Sequence, residues 1–193
     1  MGFNIEDGTG KGYTAGVSSN NRLLASSIGE TIFQYSAEEG DAYFLGTPLV
    51  TLTTAGENAV FFLENNEDEK IIIENFFTTA TTASGGSPNM YGINFYKNPT
   101  AMSVATSSIA LNQNFGSSNT LDATLQYGAS GSAFTGGTLA ATLYVPVGQF
   151  NEIPANLVLE KGSSVGVSIT PPAGNTSMPV QFGARSIVYR ELY

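Results

Sequence analysis

The chain has 193 residues, no cysteine, no histidine and a formal net charge of −9. Without cysteine there is no disulfide, thiolate nucleophile or cysteine-held metal. Without histidine the commonest general base and metal ligand are missing, so Ser-His-Asp and Cys-His catalysis are excluded. Ten of the acids (Glu30, Glu38, Glu39, Asp41, Glu57, Glu64, Glu67, Asp68, Glu69 and Glu74) fall in residues 30–74 against Lys70 alone, so this block by itself carries the whole net charge. Such a surface repels phosphate backbones, which argues against nucleic acid as a partner, and it reads as a solvated, aggregation-resistant face. The length suits one domain that buries roughly 70% of its unfolded surface without staples.

The N-terminus, Met1-Gly2-Phe3-Asn4-Ile5-Glu6-Asp7, has neither the basic start nor the apolar stretch of a signal peptide. The longest apolar run, Ala59 to Leu63, is far short of a bilayer span. Residues 1–12, with Gly8, Gly10 and Gly12, read as an arm with no core of its own. Gly8-Thr9-Gly10-Lys11-Gly12 superficially resembles a phosphate loop, but Gly12 stands where that loop needs Ser or Thr. Tyr13–Val17 and Arg22–Ala25 are spaced to pair across Ser18-Ser19-Asn20-Asn21. Leu24, Ile28, Ile32 and Tyr35 lie at near-helical spacing, weakened by Gly29 and the β-branched residues around it.

From residue 42 the pattern is strand. Val50 and Leu52 alternate with threonines. Ala59–Leu63 and Ile71–Phe77 are dense in β-branched and aromatic residues, and the polar stretch Glu64–Asp68 between them predicts a hairpin. Period two recurs at Tyr91/Ile93/Phe95, at Leu121/Ala123/Leu125 and most clearly at Leu139/Ala141/Leu143/Val145/Val147. It returns at Val165/Val167/Ile169, stopped by Pro171-Pro172, and at Val180/Phe182/Ala184 with Ile187–Tyr189. Alternation at period two sends successive side chains to opposite faces, one toward a core and one toward water. About ten such segments with no interleaved helices predict an all-β, antiparallel sandwich or barrel. Residues 81–88, 112–120 and 128–137 read as loops, where recognition usually sits. Asp122 is the only charge in residues 98–151. That depletion suggests subunit contacts.

No constellation here points to catalysis, a cofactor or a metal. Glu64, Glu67, Asp68 and Glu69 supply the oxygen ligands calcium takes, but without the ordered spacing of a calcium loop. Glu38, Glu39, Asp41, Glu64 and Glu74 are carboxylates of the type a glycosidase uses, in a chain with no Trp to stack on a sugar. Asn175-Thr176-Ser177 matches a glycosylation acceptor, which means little without a secretory leader.

One order of segments resembles a known group. Asn21-Arg22-Leu23-Leu24 follows the Gly-rich arm; then come Glu39-Gly40-Asp41-Ala42-Tyr43, Leu52-Thr53-Thr54-Ala55-Gly56-Glu57 and Phe62-Leu63-Glu64 through Ile73. This resembles virion structural proteins of tailed phages, in which a short N-terminal arm precedes a jelly-roll-like sandwich. Leu157–Gly162 followed by Val165–Pro172 is similar to the closing hairpin of such sandwiches. The resemblance implies an arm over residues 1–36 and a sandwich over 37–193. It implies a non-enzymatic decoration (head auxiliary) protein on the outer capsid surface, made in the host cytoplasm. The partners it implies are the major capsid protein and copies of the chain itself, as a homotrimer, with no nucleic acid and no membrane. Phe3, Ile5, Tyr13, Leu23 and Leu24 are the residues expected at that contact. The alternatives are a tail or fibre module binding a receptor or glycan through loops 81–89, 112–120 and 128–137, and a carboxylate-dependent glycosidase.

Overall fold

The computed structural model describes residues 16–17, 23–24, 31–54, 56–81, 90–174 and 177–189. The chain divides into two compact units, residues 1–31 and 32–193. In the first, β1 (Gly16–Val17) pairs antiparallel with β2 (Leu23–Leu24), where the two segments flanking residues 18–21 were expected to meet.

The second unit opens with one short helix, α1 (Ile32–Glu39), and continues in strands. The early ones are β3 (Ala42–Gly46), β4 (Val50–Leu52), β5 (Asn58–Asn65), β6 (Lys70–Ala80) and β7 (Met90–Met102). Next come β8 (Ala105–Ser107), β9 (Ala110–Asn112) and β10 (Ala123–Gly128). The last four are β11 (Phe134–Pro146), β12 (Phe150–Leu159), β13 (Ser164–Thr170) and β14 (Met178–Tyr189). Every pairing is antiparallel. One sheet runs β12-β6-β14-β3-β9, with β4 also on β14; the other runs β11-β7-β13-β5-β10-β8. The two pack face to face as the expected β-sandwich.

The helix stops for a local reason. Asp41 N–H donates to the Ser36 carbonyl at 2.7 Å and Gly40 N–H to the Ala37 carbonyl at 3.2 Å, the paired bonds of a Schellman cap. That cap needs a left-handed residue, and Gly40 supplies it at φ +80°. A Cβ there would also lie 2.2 Å from Ser117 Oγ. Gly40→Ala is therefore expected to destabilise the domain by about 2 kcal/mol, lowering Tm by roughly 4–8 °C in a calorimetric scan.

The core is aromatic where the sheets face each other. The Phe76 ring centroid is 5.2 Å from that of Phe95, 5.4 Å from Phe182 and 6.2 Å from Phe61, so one ring ties together two strands of each sheet. Leu45, Leu63, Ile71, Ile73, Ile93, Val167 and Ile169 fill the rest and are fully buried. In β6 the inward positions are Ile71 and Ile73, then Phe76 and Ala80. The phase slips because a register shift against β14 places an extra residue between Ile73 and Asn75.

Two expected hairpins are not hairpins. β5 and β6 do not pair: β5 joins β13 and β10, while β6 joins β12 and β14 in the opposite sheet. The polar stretch 64–69 is an arch over the sandwich end, held by Glu67 N–H to Asn65 Oδ1 (2.8 Å) and by Asn65 Nδ2 to the carbonyls of Glu69 and Leu159. Likewise Leu157–Leu159 ends β12 in one sheet and Val165 lies on β13 in the other. The physical reason is burial. β5 is buried at almost every position, because Phe62 and Ala59 pack with Met102 and Phe134 on its outer side while Phe61 and Leu63 fill the main core. A strand apolar on both faces belongs in the middle of a sheet, between two partners.

Candidate assembly interface

Consecutive strands β11 and β12 form the same side of the sandwich, each the edge of a different sheet. Among the described residues β11 pairs only with β7, and β12 only with β6. The period-two pattern of β11 is present, and Val145 and Val147 at its end pack against the core, but the middle of its apolar side does not close over it. Ala141 and Leu143 face a groove of about 470 Å3 whose opposite wall is Ile153, Pro154, Ala155 and Leu157 of β12, with Phe76 and Phe95 among the residues lining it. On the same two strands Leu139, Tyr144, Phe150 and Val158 are more than half exposed. Glu152 is the sole charged residue in 134–159, and its carboxylate accepts a hydrogen bond from Asn75 Nδ2.

Exposed apolar residues grouped beside an open groove make this side a candidate contact surface. Its edges are not built for a continued sheet. β11 carries register shifts at Thr135/Gly136 and Leu139/Ala141, and β12 one between Pro154 and Leu157 with Asn156 at φ +49°. Bulges and an edge proline block strand addition. The groove is therefore shaped for side chains more than for a backbone ladder.

An aromatic band extends from this face across the outside of the first sheet. Phe150 stacks on Phe77 (5.8 Å), and Phe77 meets Phe44 (6.1 Å). The Arg185 guanidinium lies 4.9 Å from the Phe33 ring of α1 and 5.8 Å from Phe77. Nearby Glu74 has its carboxyl pushed up by burial, which the Arg185 charge partly offsets.

The acidic turn is used within the fold. Asp68 pairs with Lys161, which holds its carboxyl below the usual range, and Glu67 Oε1 accepts from Asp122 N–H at 2.8 Å. Lys70 and Glu160 form a second exposed pair at 3.3 Å. Among the described residues no three acids converge to hold a metal ion. Of the other carboxylates singled out in the sequence, Glu38 and Glu39 are exposed on α1, Asp41 is buried beyond it, and Glu64 and Glu74 are half-buried on different sheets.

The outer face of the second sheet carries a polar network that sequence reading missed. Glu57 Oε1 accepts hydrogen bonds from Tyr96 OH (2.7 Å), Asn94 Nδ2 (3.1 Å) and Ser168 Oγ. Asn94 Oδ1 in turn accepts from Thr142 Oγ1 at 2.8 Å. Burial, then the Glu57 hydrogen bond and charge, push the Tyr96 phenol up to about 12. The folded protein thus holds this proton where the unfolded chain, with its ordinary value near 10.0, has lost it. Stability is present below pH 10 and falls as pH rises toward 12. Glu57→Gln should bring the Tyr96 transition down, read by absorbance at 295 nm during titration.

Of the residues expected at a capsid contact, Phe3, Ile5 and Tyr13 lie outside the described residues, and Leu23 and Leu24 form β2. Loop 81–89 falls almost entirely outside them too. Loop 112–120 packs against the end of α1, with Asn114 Nδ2 on the Glu38 carbonyl and Asn112 Nδ2 on that of Gly40. Residues 128–137 reach the Glu57 network. No protein-family model matches this chain, and no curated protein matches it either.

Proposed function

We propose that this chain is a non-enzymatic structural protein that assembles with copies of itself, as a homotrimer, on the outer surface of a tailed-phage capsid. The observation that carries this reading is the wiring. Strands β3, β5, β6, β7, β11, β12, β13 and β14 form two four-stranded halves, β12-β6-β14-β3 facing β11-β7-β13-β5. Successive strands from β5 to β7 and from β11 to β14 alternate between the halves, and the last strand lies beside the first. That order supports reading the sandwich as a jelly roll, an architecture of capsid and lectin domains. Fold alone does not assign function. The surface adds the second support: a charge-poor apolar side on a chain of net charge −9.

Like charge makes most faces of this chain repel a second copy. The β11–β12 side brings only Glu152 of each copy near the contact and offers an open apolar groove beside it. The arm, with Phe3, Ile5 and Tyr13, lies on the major capsid protein in this proposal. Binding adds buried area between capsomers and stabilises the shell by mass action.

The test is copy number by quantitative mass spectrometry on purified particles. Hundreds of copies, scaling with the capsid lattice, are expected. Six or twelve, as cyclic tail symmetry gives, would move the chain to the tail. Absence from particles would remove the virion assignment.

A further inference from the structure

We propose that the recess beside Glu57 binds one neutral sugar ring, independently of any role in assembly. The recess measures about 200 Å3 and lies on the outer face of the second sheet. It is below the roughly 300–1,000 Å3 of sites for drug-sized ligands and suits a single pyranose. Its lining joins four sequence-distant pieces: Glu57 ahead of β5, Tyr96 of β7, Ser168 of β13, and Ser132 to Phe134 at the start of β11.

Three features point to a hydroxylated ligand. The first is the Glu57 carboxylate. Three donors converge on Oε1 and orient the group, while Oε2 accepts no hydrogen bond among the described residues. A carboxylate held in this way offers a charge-assisted acceptor to a ligand hydroxyl. The second is Ser132. It is fully buried, yet its hydroxyl has no partner. Buried hydroxyls are normally satisfied, so an orphan lining a recess indicates a partner supplied from outside. The third is the wall. The Tyr96 and Phe134 rings stand 5.3 Å apart, and Phe134 is seated over Gly166, where a Cβ would come within 2.6 Å of the ring. A fixed aromatic surface beside a polar cluster matches the two-sided chemistry of a pyranose, with its C–H face and its hydroxyl rim.

Charge selects among ligands. Glu57 and the net charge of −9 oppose sialic acids, uronic acids and phosphates. One carboxylate is too few for a resident divalent cation, and no group of three acids lies among the described residues.

The experiment is saturation-transfer difference NMR on the full chain with the methyl glycosides of glucose, galactose, mannose and N-acetylglucosamine, and with methyl glucuronide as the anionic control. At least one neutral glycoside is expected to give signal with Kd on the order of 1 mM, and the glucuronide none. Glu57→Gln should weaken binding about tenfold or more, because a charged acceptor becomes a neutral amide. Ser132→Ala should weaken it several-fold without lowering Tm, since that hydroxyl has no partner within the protein. A hydroxyl serving only the fold would show the reverse. No signal from any neutral glycoside, equal signal from the glucuronide, or wild-type binding by both folded variants would overturn the assignment.

Discussion

Leu143→Asp is expected to turn the assembled protein into a monomer. In light scattering coupled to size exclusion, the wild-type chain should run at three times its 20.2 kDa mass at micromolar concentration, and the variant at one. Leu143 faces the groove between β11 and β12 and is 39% exposed, so it has room for a carboxylate in the free chain. Against a second copy that carboxylate is desolvated with no cation beside it. The cost is about 3–4 kcal/mol, or a rise in Kd of roughly a hundred- to a thousandfold. Ile109→Asp is the control. Ile109 is 86% exposed and lies between β8 and β9, the strands that end the two sheets on the opposite side. It should leave the oligomer intact. A wild-type monomer, or equal loss of assembly in both variants, would show that the β11–β12 side is not the contact.

The second large effect is on stability. Phe76→Ala removes the ring that touches Phe61, Phe95 and Phe182, at a residue with no exposed surface. Its loss leaves a cavity beside the groove. The expected penalty is about 3–5 kcal/mol, and Tm should drop by roughly 6–20 °C at this domain size. Denaturant unfolding should show the midpoint moving with the slope unchanged. A loss below about 1 kcal/mol would mean that the sheets close over the gap, against the tight packing of these rings. The variant also separates the two proposals. Phe76 lies between the sheets, so folded Phe76→Ala protein should keep its affinity for a neutral glycoside at the Glu57 recess.

The two proposals place different demands on the surface. The β11–β12 side is apolar and open, and its edge is broken by bulges, so it is suited to contact through side chains. The recess by Glu57 is small, polar and fixed by strand residues Asn94, Tyr96 and Ser168. One is a contact area and the other a pocket, and Tyr96 and β11 border both.

What could be read in advance follows from where the signal is local. β4, β7, β11, β13 and β14 each announce themselves by alternation, because the pleat writes burial directly into neighbouring residues. The all-β, antiparallel sandwich followed from those segments and from the lack of helical stretches among them. The absence of histidine and cysteine, the acidic block and the stretch 98–151 with Asp122 as its only charge are likewise properties of the chain itself. Partner choice between strands is not local. Glu64–Asp68 is polar enough for a hairpin turn or for an arch between sheets, and only the pairing of β5 with β13 and β10 selected the arch. The shift of phase inside β6, the exposure of the apolar side of β11, and the meeting of Glu57, Tyr96, Ser132 and Ser168 were decided by tertiary structure. In each case the deciding partner is tens of residues away, and the energy of contact across that distance leaves no periodic mark on either segment.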